Sequence, residues 1–191
     1  MERLTSELIG QIEASPPPAG MCTTVVAIDG LGGAGKTTLA KKFAQELYGA
    51  PIIQTDDFAS WENPLNWWPR LLEQVLEPLS RNQPGRYQRY DWDSRTLAEW
   101  HEVPVTKYLL IEGVSASRNA FQPFLAFSIW VETPREERLR RGLERDGEDA
   151  RSLWDEWMTE EDKYVSLEQP ARRADIIISG AKVTVVAREA P

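Results

Sequence analysis

Apolar residues fall along the chain in short blocks whose spacing alternates between two periods. Leu4, Leu8, Ile9 and Ile12 recur at helical spacing, which predicts a short amphipathic helix over residues 4–12. Ser15-Pro16-Pro17-Pro18-Ala19-Gly20 ends it and reads as a linker. From Thr23 the pattern changes: residues 23–28 form a β-branched apolar run, the signature of a strand buried on both faces. A helix is predicted over 36–48, with Leu39, Phe43 and Leu47 on one side, and a second short strand over 51–54. Trp68, Leu72, Val75 and Leu79 keep helical register within 65–79. Further apolar strands are predicted at 108–111, 127–131 and 175–178. Between the last two, Thr133-Pro134-Arg135-Glu136 reads as a helix start, with Thr as the cap and Pro at the first position. That helix runs to about Arg145, Asp146-Gly147-Glu148-Asp149 interrupts it, and a second covers 152–167. In residues 80–104, Leu97, Trp100 and Val103 fit a helix or a strand equally well.

Strands alternating with helices imply an α/β fold of three layers, with a central parallel sheet covered on both sides. A chain of 191 residues suits one such domain over 21–191, preceded by the helix and Pro-rich linker of 1–20. The N-terminal helix is expected to pack on the domain as an accessory; contact with a second copy, in a homo-oligomer, is the alternative.

Composition narrows the function classes. One Cys (Cys22) and one His (His101) exclude an internal disulfide and metal sites built on Cys or His clusters. A net charge of -8 argues against nucleic acid as a partner. No apolar run approaches the roughly 18 residues of a membrane span, and Met1-Glu2-Arg3-Leu4 does not open a signal peptide. The expectation is a soluble cytoplasmic protein.

The most specific motif is Gly30-Leu31-Gly32-Gly33-Ala34-Gly35-Lys36-Thr37, which satisfies G-x-x-x-x-G-K-[ST]. A predicted strand precedes it and a helix follows, as the chemistry requires. Glycines let backbone N–H groups turn inward around phosphates, and the helix start adds partial positive charge. Gly30, Gly32, Gly33, Ala34 and Gly35 are therefore expected to cradle ATP. Lys36 would reach the β- and γ-phosphates, and the Thr37 hydroxyl would ligate Mg²⁺. Thr38 reads as an ordinary helix residue rather than a second metal ligand, and is counted with the nucleotide-binding set.

Ligands of an open parallel sheet bind beyond the carboxyl ends of its strands. Asp56-Asp57-Phe58 follows the second predicted strand, and Glu112-Gly113 the third. A phosphoryl acceptor hydroxyl needs a carboxylate to orient it and take its proton, and either Asp56 or Asp57 can do so. Side chains alternate along a strand, so only one of the pair should face the site. Glu112 is the natural oxygen partner for Mg²⁺. Arg135, Arg138, Arg140, Arg141 and Arg145 reverse the local sign of an acidic chain. Most should pair with Glu136, Glu137 and Glu144. One or two of Arg138, Arg141 and Arg145, which share a helix face, would steady the transferring phosphoryl group. Gly142 and Gly147 suit a segment that moves.

Together these segments resemble the uridine kinase and nicotinamide riboside kinase group of P-loop nucleoside kinases. The likeness runs from Val25-Val26-Ala27-Ile28-Asp29-Gly30 through Asp56-Asp57-Phe58, Ile111-Glu112-Gly113 and the Arg-rich stretch to Ala174-Asp175-Ile176-Ile177-Ile178. It implies an ATP- and Mg²⁺-dependent kinase with a small-molecule hydroxyl as acceptor. Asp56 would be the catalytic aspartate and would share the metal with Thr37 and Glu112. Residues 134–150 would form a mobile lid, with Arg138 and Arg141 catalytic and Arg145 on ATP. Asp57 and Phe58 would border the acceptor. Tyr90-Asp91-Trp92-Asp93 resembles the family's acceptor-site segment, with Asp91 or Asp93 on ribose hydroxyls and Asp93 preferred.

The sequence departs from the family at Ala59, at Ser94-Arg95 and across the Trp-rich stretch 61–100, which holds five of the eight Trp. Trp61, Trp67, Trp68, Trp92 and Trp100 are either packing or a face for a planar ring. Arg81, Arg86, Arg89 and Arg95 raise the alternative of a phosphorylated acceptor; vitamins and antibiotics are further acceptor classes. A nucleotide-binding regulatory protein without an acceptor is the non-enzymatic alternative. His101 is expected to be structural.

Overall fold

The computed structural model describes residues 2–60, 62–181 and 184–185. An N-terminal helix, α1 (Glu2–Ala14), precedes β1 (Thr24–Asp29), α2 (Lys36–Glu46) and β2 (Ile52–Gln54). One continuous helical stretch follows: α3 (Trp68–Leu71), a π-helical turn (Leu72–Leu76) and α4 (Glu77–Ser80). Then come β3 (Gly85–Asp91), β4 (Thr96–Val103), β5 (Tyr108–Glu112), β6 (Phe127–Glu132), α5 (Arg135–Asp146), α6 (Arg151–Glu168), α7 (Pro170–Arg173), β7 (Ile176–Ser179) and β8 (Thr184–Val185).

The main sheet has the order β2-β5-β1-β6-β7-β8. Its first five members pair in parallel, and β8 adds an antiparallel edge on β7 that the hydrophobic pattern did not foretell. Alternation along β1 splits the core in two. Val26 and Ile28 pack with Leu39 and Phe43 of α2 and with Leu8 and Ile12 of α1. Val25 and Ala27 pack on the other face with Leu71, Val75 and Leu79. The N-terminal helix is thus an accessory layer on the domain.

Residues 80–104, open between helix and strand, form a hairpin. β3 and β4 pair antiparallel as a separate two-stranded sheet, with a register irregularity between Gln88 and Tyr90. Its inner edge carries Tyr87 and Val103 into the core, while Leu97 and Trp100 face solvent. Alternation was hidden because only a few inward residues are apolar. The expected Thr133 cap is also corrected. Pro134 occupies the cap position of α5, and the Thr133 hydroxyl donates instead to the Ala34 carbonyl in the phosphate loop (3.1 Å).

One buried carboxylate ties the sheet to what surrounds it. Asp29, at the end of β1, is fully buried. It accepts hydrogen bonds from the backbone N–H of Gly30 (2.7 Å), Ser115 (2.9 Å) and Ser117 (2.9 Å). The Ser117 hydroxyl (2.7 Å) and the Tyr164 hydroxyl of α6 (2.6 Å) complete the set. A charge this deep is tolerated because its lone pairs are filled. Burial and the adjacent Asp29 charge both push the Tyr164 phenol well up. Tyr164→Phe removes one hydrogen bond to a charged group and is expected to cost about 1.5–3 kcal/mol, lowering Tm by about 2–4 °C per kcal/mol in calorimetry.

Candidate active site

Beyond the carboxyl ends of β1, β2 and β5 lies a cleft of about 540 Å³. Its floor is the phosphate loop. The loop turns through left-handed backbone at Gly33 (φ 75) and Gly35 (φ 99), which a side chain would strain, and Gly35 caps α2. Gly32, Gly33, Gly35, Lys36, Thr37 and Thr38 line the cleft. Gly30 and Ala34 do not: Gly30 N–H faces Asp29, and Ala34 is buried. The Lys36 ammonium donates to the Leu31 carbonyl (3.0 Å), so the loop is closed around its own lysine.

Glu112, at the end of β5, is buried beside this loop. The Thr37 hydroxyl donates to its Oε1 (3.0 Å), as does the Gln54 amide (3.2 Å). Desolvation raises its pKa, opposed by the Lys36 charge, while the nearby Asp56 charge raises it further. A desolvated carboxylate, a hydroxyl and a second carboxylate within electrostatic range form an oxygen-donor set that fits Mg²⁺. Gln54 was not foreseen; its place at the end of the strand before Asp56 was the available signal.

The adjacent aspartates diverge, but for a reason other than strand alternation. They sit on a 3-10 turn, Thr55–Asp57, which follows the short β2. Asp56 lines the cleft. Asp57 turns away and accepts a hydrogen bond from the Tyr87 hydroxyl of β3 (2.7 Å). Burial is the largest influence on Asp57 and raises its pKa. Phe58 is likewise buried, stacked on Tyr87 with ring centroids 4.6 Å apart. Asp57 and Phe58 therefore anchor the hairpin instead of bordering the cleft.

From the segment 90–93 only Trp92 reaches the cleft. Its indole N–H donates to the Asp56 carbonyl (3.1 Å). Asp91 accepts the N–H groups of Asp93 (3.1 Å) and Ser94 (2.8 Å), closing the hairpin turn, and pairs with Arg89 (3.1 Å). Asp93 is exposed and does not line the cleft. Tyr90 is buried edge-on against Trp92, and its hydroxyl finds no hydrogen-bond partner among the described residues. Trp67 is core, and Trp100 lies on the outer hairpin face under Arg86. Trp61 lies outside the described residues. His101 stacks on Tyr87 with ring centroids 5.3 Å apart and does not line the cleft.

The fourth wall comes from α5 and α6. Leu153, Trp154 and Trp157 of α6 line the cleft. Trp157 meets Trp92 edge to face, centroids 6.0 Å apart, so the two indoles converge from the helix and the hairpin. These residues were legible only as spacing: Trp154, Trp157, Glu161 and Tyr164 recur at helical intervals on one face. Gly142 packs closely against α6: a Cβ there would collide with the Trp154 ring.

The three arginines separate. Arg141 lines the cleft and donates to the carbonyls of Gly33 (3.4 Å) and Gly180 (3.3 Å), with Glu137 as its ion-pair partner (2.8 Å). Arg145 also lines it, paired with Asp146 (2.7 Å) and lying over Trp154. The Asp146 pairing raises the Arg145 pKa, and the charge of Asp56 adds to the rise, so the two face one field. Arg138 is buried and outside the cleft, against the expectation that it meets the transferring group.

The family model described as an AAA domain matches residues 26–165. A uridine kinase of Macrococcus caseolyticus is 25% identical over 159 residues, 72% of this chain and 77% of its own. Among solved structures, that of a possible uridine kinase from Bacillus stearothermophilus has a TM-score of 0.67 at 23% identity, covering 92% of this chain and 97% of that one. D-glycerate 3-kinase from Cryptococcus neoformans has a TM-score of 0.62 at 13% identity, covering 98% and 96%. These structural likenesses speak to the fold. With a family match that runs from β1 into α6, the protein belongs to the AAA-domain family of P-loop proteins and is uridine kinase-like within it.

Proposed function

We propose that this protein is an ATP-dependent kinase that phosphorylates a hydroxyl of an uncharged, nucleoside-like small molecule. The observation that carries the reading is Asp56, the one carboxylate of its pair that faces the phosphate loop across the cleft. In the reaction the acceptor oxygen attacks the γ-phosphorus, the bond from that phosphorus to the β,γ-bridging oxygen breaks, and ADP leaves. Asp56 orients the hydroxyl and takes its proton. Lys36 and the loop N–H groups other than those of Gly30, Gly32 and Ala34, which have partners within the protein, hold the phosphates. Arg141 and Arg145 stand where charge builds on the transferring group. Thr37, Glu112 and Asp56 would hold Mg²⁺, which neutralises phosphate charge when bound.

Trp92 and Trp157 supply flat apolar surface at the acceptor end of the cleft, which suits a base or similar ring. The arginines that suggested a phosphorylated acceptor lie outside the cleft. Arg86 pairs with Glu102 (2.9 Å) and Arg89 with Glu99 (2.7 Å), both across the hairpin. Arg81 and Arg95 do not line the cleft. A solved neighbour of this fold is a D-glycerate 3-kinase, so hydroxy acids belong in the acceptor panel beside nucleosides.

With purified protein and Mg·ATP, a panel of nucleosides, sugars, hydroxy acids and nucleoside monophosphates is expected to give ADP release with the nucleosides. Turnover on monophosphates alone would overturn the reading. Asp56→Asn is expected to keep ADP affinity and to lower kcat by about 10²–10⁴-fold, the usual worth of a positioned base. Glu112→Gln is expected to raise the Mg²⁺ concentration for half-maximal rate about tenfold while the acceptor KM is unchanged. Because burial raises the Glu112 pKa, protons compete with Mg²⁺ as pH falls towards it, so the wild-type requirement should rise in acid and that of Glu112→Gln should not.

A further inference from the structure

The phosphate loop is gripped from behind by a residue to which the proposed chemistry gives no role. Glu161 of α6 has no solvent exposure. Its Oε1 accepts the N–H of Gly32 at 2.6 Å, and its Oε2 accepts from Arg138 Nη1 at 3.0 Å. Arg138 in turn donates through Nε to the Thr133 carbonyl at 3.2 Å. Packing around the contact is close. A Cβ on Gly32 would lie 2.9 Å from Glu161 Oε1 and 3.2 Å from Trp154. A Cβ on Gly33 would lie 2.5 Å from the Arg138 carbonyl. The two central glycines of the loop are thus clamped between α5 and α6.

We infer that Glu161 is a positioning residue for nucleotide binding, which fixes the phosphate loop in its receptive shape by holding the Gly32 N–H. The inference rests on the phosphate loop binding nucleotide, as proposed above. The Gly32 N–H is half-buried, and Glu161 is its sole partner among the described hydrogen bonds. With that partner in place the loop is ordered before phosphate arrives, so binding spends no free energy on ordering it. A buried anion behind a polyphosphate site would by itself repel the ligand. Lys36 and Arg138 offset it, and the Arg138 ion pair accounts for an arginine of α5 being turned inward and kept out of the cleft. If the loop held its receptive shape for only a tenth of the time, apparent affinity would fall tenfold.

The test compares Glu161→Gln with Glu161→Met. Both remove the charge that Arg138 pairs with and leave it the carbonyls of Thr133 and Gly32; they differ in whether an oxygen remains for the Gly32 N–H. ADP affinity measured by calorimetry is expected to stay within about threefold of wild type in Glu161→Gln and to fall about tenfold or more in Glu161→Met. Equal affinities in the two variants would overturn the inference. A measurement on the wild type stands apart from whether either variant folds: in nucleotide-free protein the Gly32 amide should exchange about 100-fold more slowly than an unstructured amide. Exchange at the unstructured rate would overturn it. Wild-type protein that binds no ADP would defeat the kinase reading instead, and the exchange rate would still decide whether Glu161 holds the loop.

Discussion

Three of the segments that form the cleft are tied to one buried negative charge. Asp29 ends β1 with no exposure, so each of its lone pairs must find a donor inside the protein. The donors come from the first residue of the phosphate loop, from the segment after β5 and from α6. Satisfying that one carboxylate therefore sets three site-forming segments relative to each other. Glu112 and the phosphate loop flank it on neighbouring strands, paired through Ile28 and Glu112. Tyr164 fixes the end of α6 that also presents Glu161 to the loop. A buried, fully satisfied charge specifies geometry because any displacement leaves a polar group stranded.

The charged residues then divide by desolvation. Arg138 and Glu161 share a buried interface, where each offsets the other's charge. On the same helix Arg141, partly exposed and paired with Glu137, and Arg145, exposed and paired with Asp146, stay at the solvent-accessible cleft. The same division applies to the adjacent aspartates. Asp57 is drawn into the hairpin by Tyr87, while Asp56 stays in the cleft with its backbone carbonyl bound by Trp92. The hairpin thus meets the Asp56-Asp57 turn at two points, through Tyr87 and through Trp92, and presents Trp92 to the cleft.

The motifs legible in the chain were those whose chemistry is local. The alternation of apolar strands with helices, the glycine pattern before Lys36, and the carboxylates after β2 and β5 all follow from neighbours within a few residues. Those features determined the fold class, the phosphate loop and the candidacy of Glu112 and the Asp56-Asp57 pair; the choice of Asp56 within the pair came from the family resemblance. The hairpin of β3 and β4 was ambiguous because its pattern reflects packing on the distant 3-10 turn and helix, not its own period.

Only the tertiary structure decided which candidates share the cleft. Gly32 meets Glu161 across 129 positions of sequence, and Asp29 meets Tyr164 across 135. It brought Trp154 and Trp157 to the site, turned Arg138 inward, and left Asp91 and Asp93 to the hairpin turn. Periodicity along one element tells which side of it is buried, but not what lies opposite. That depends on how the elements pack, and here it was set by where buried charges and loop N–H groups could find partners.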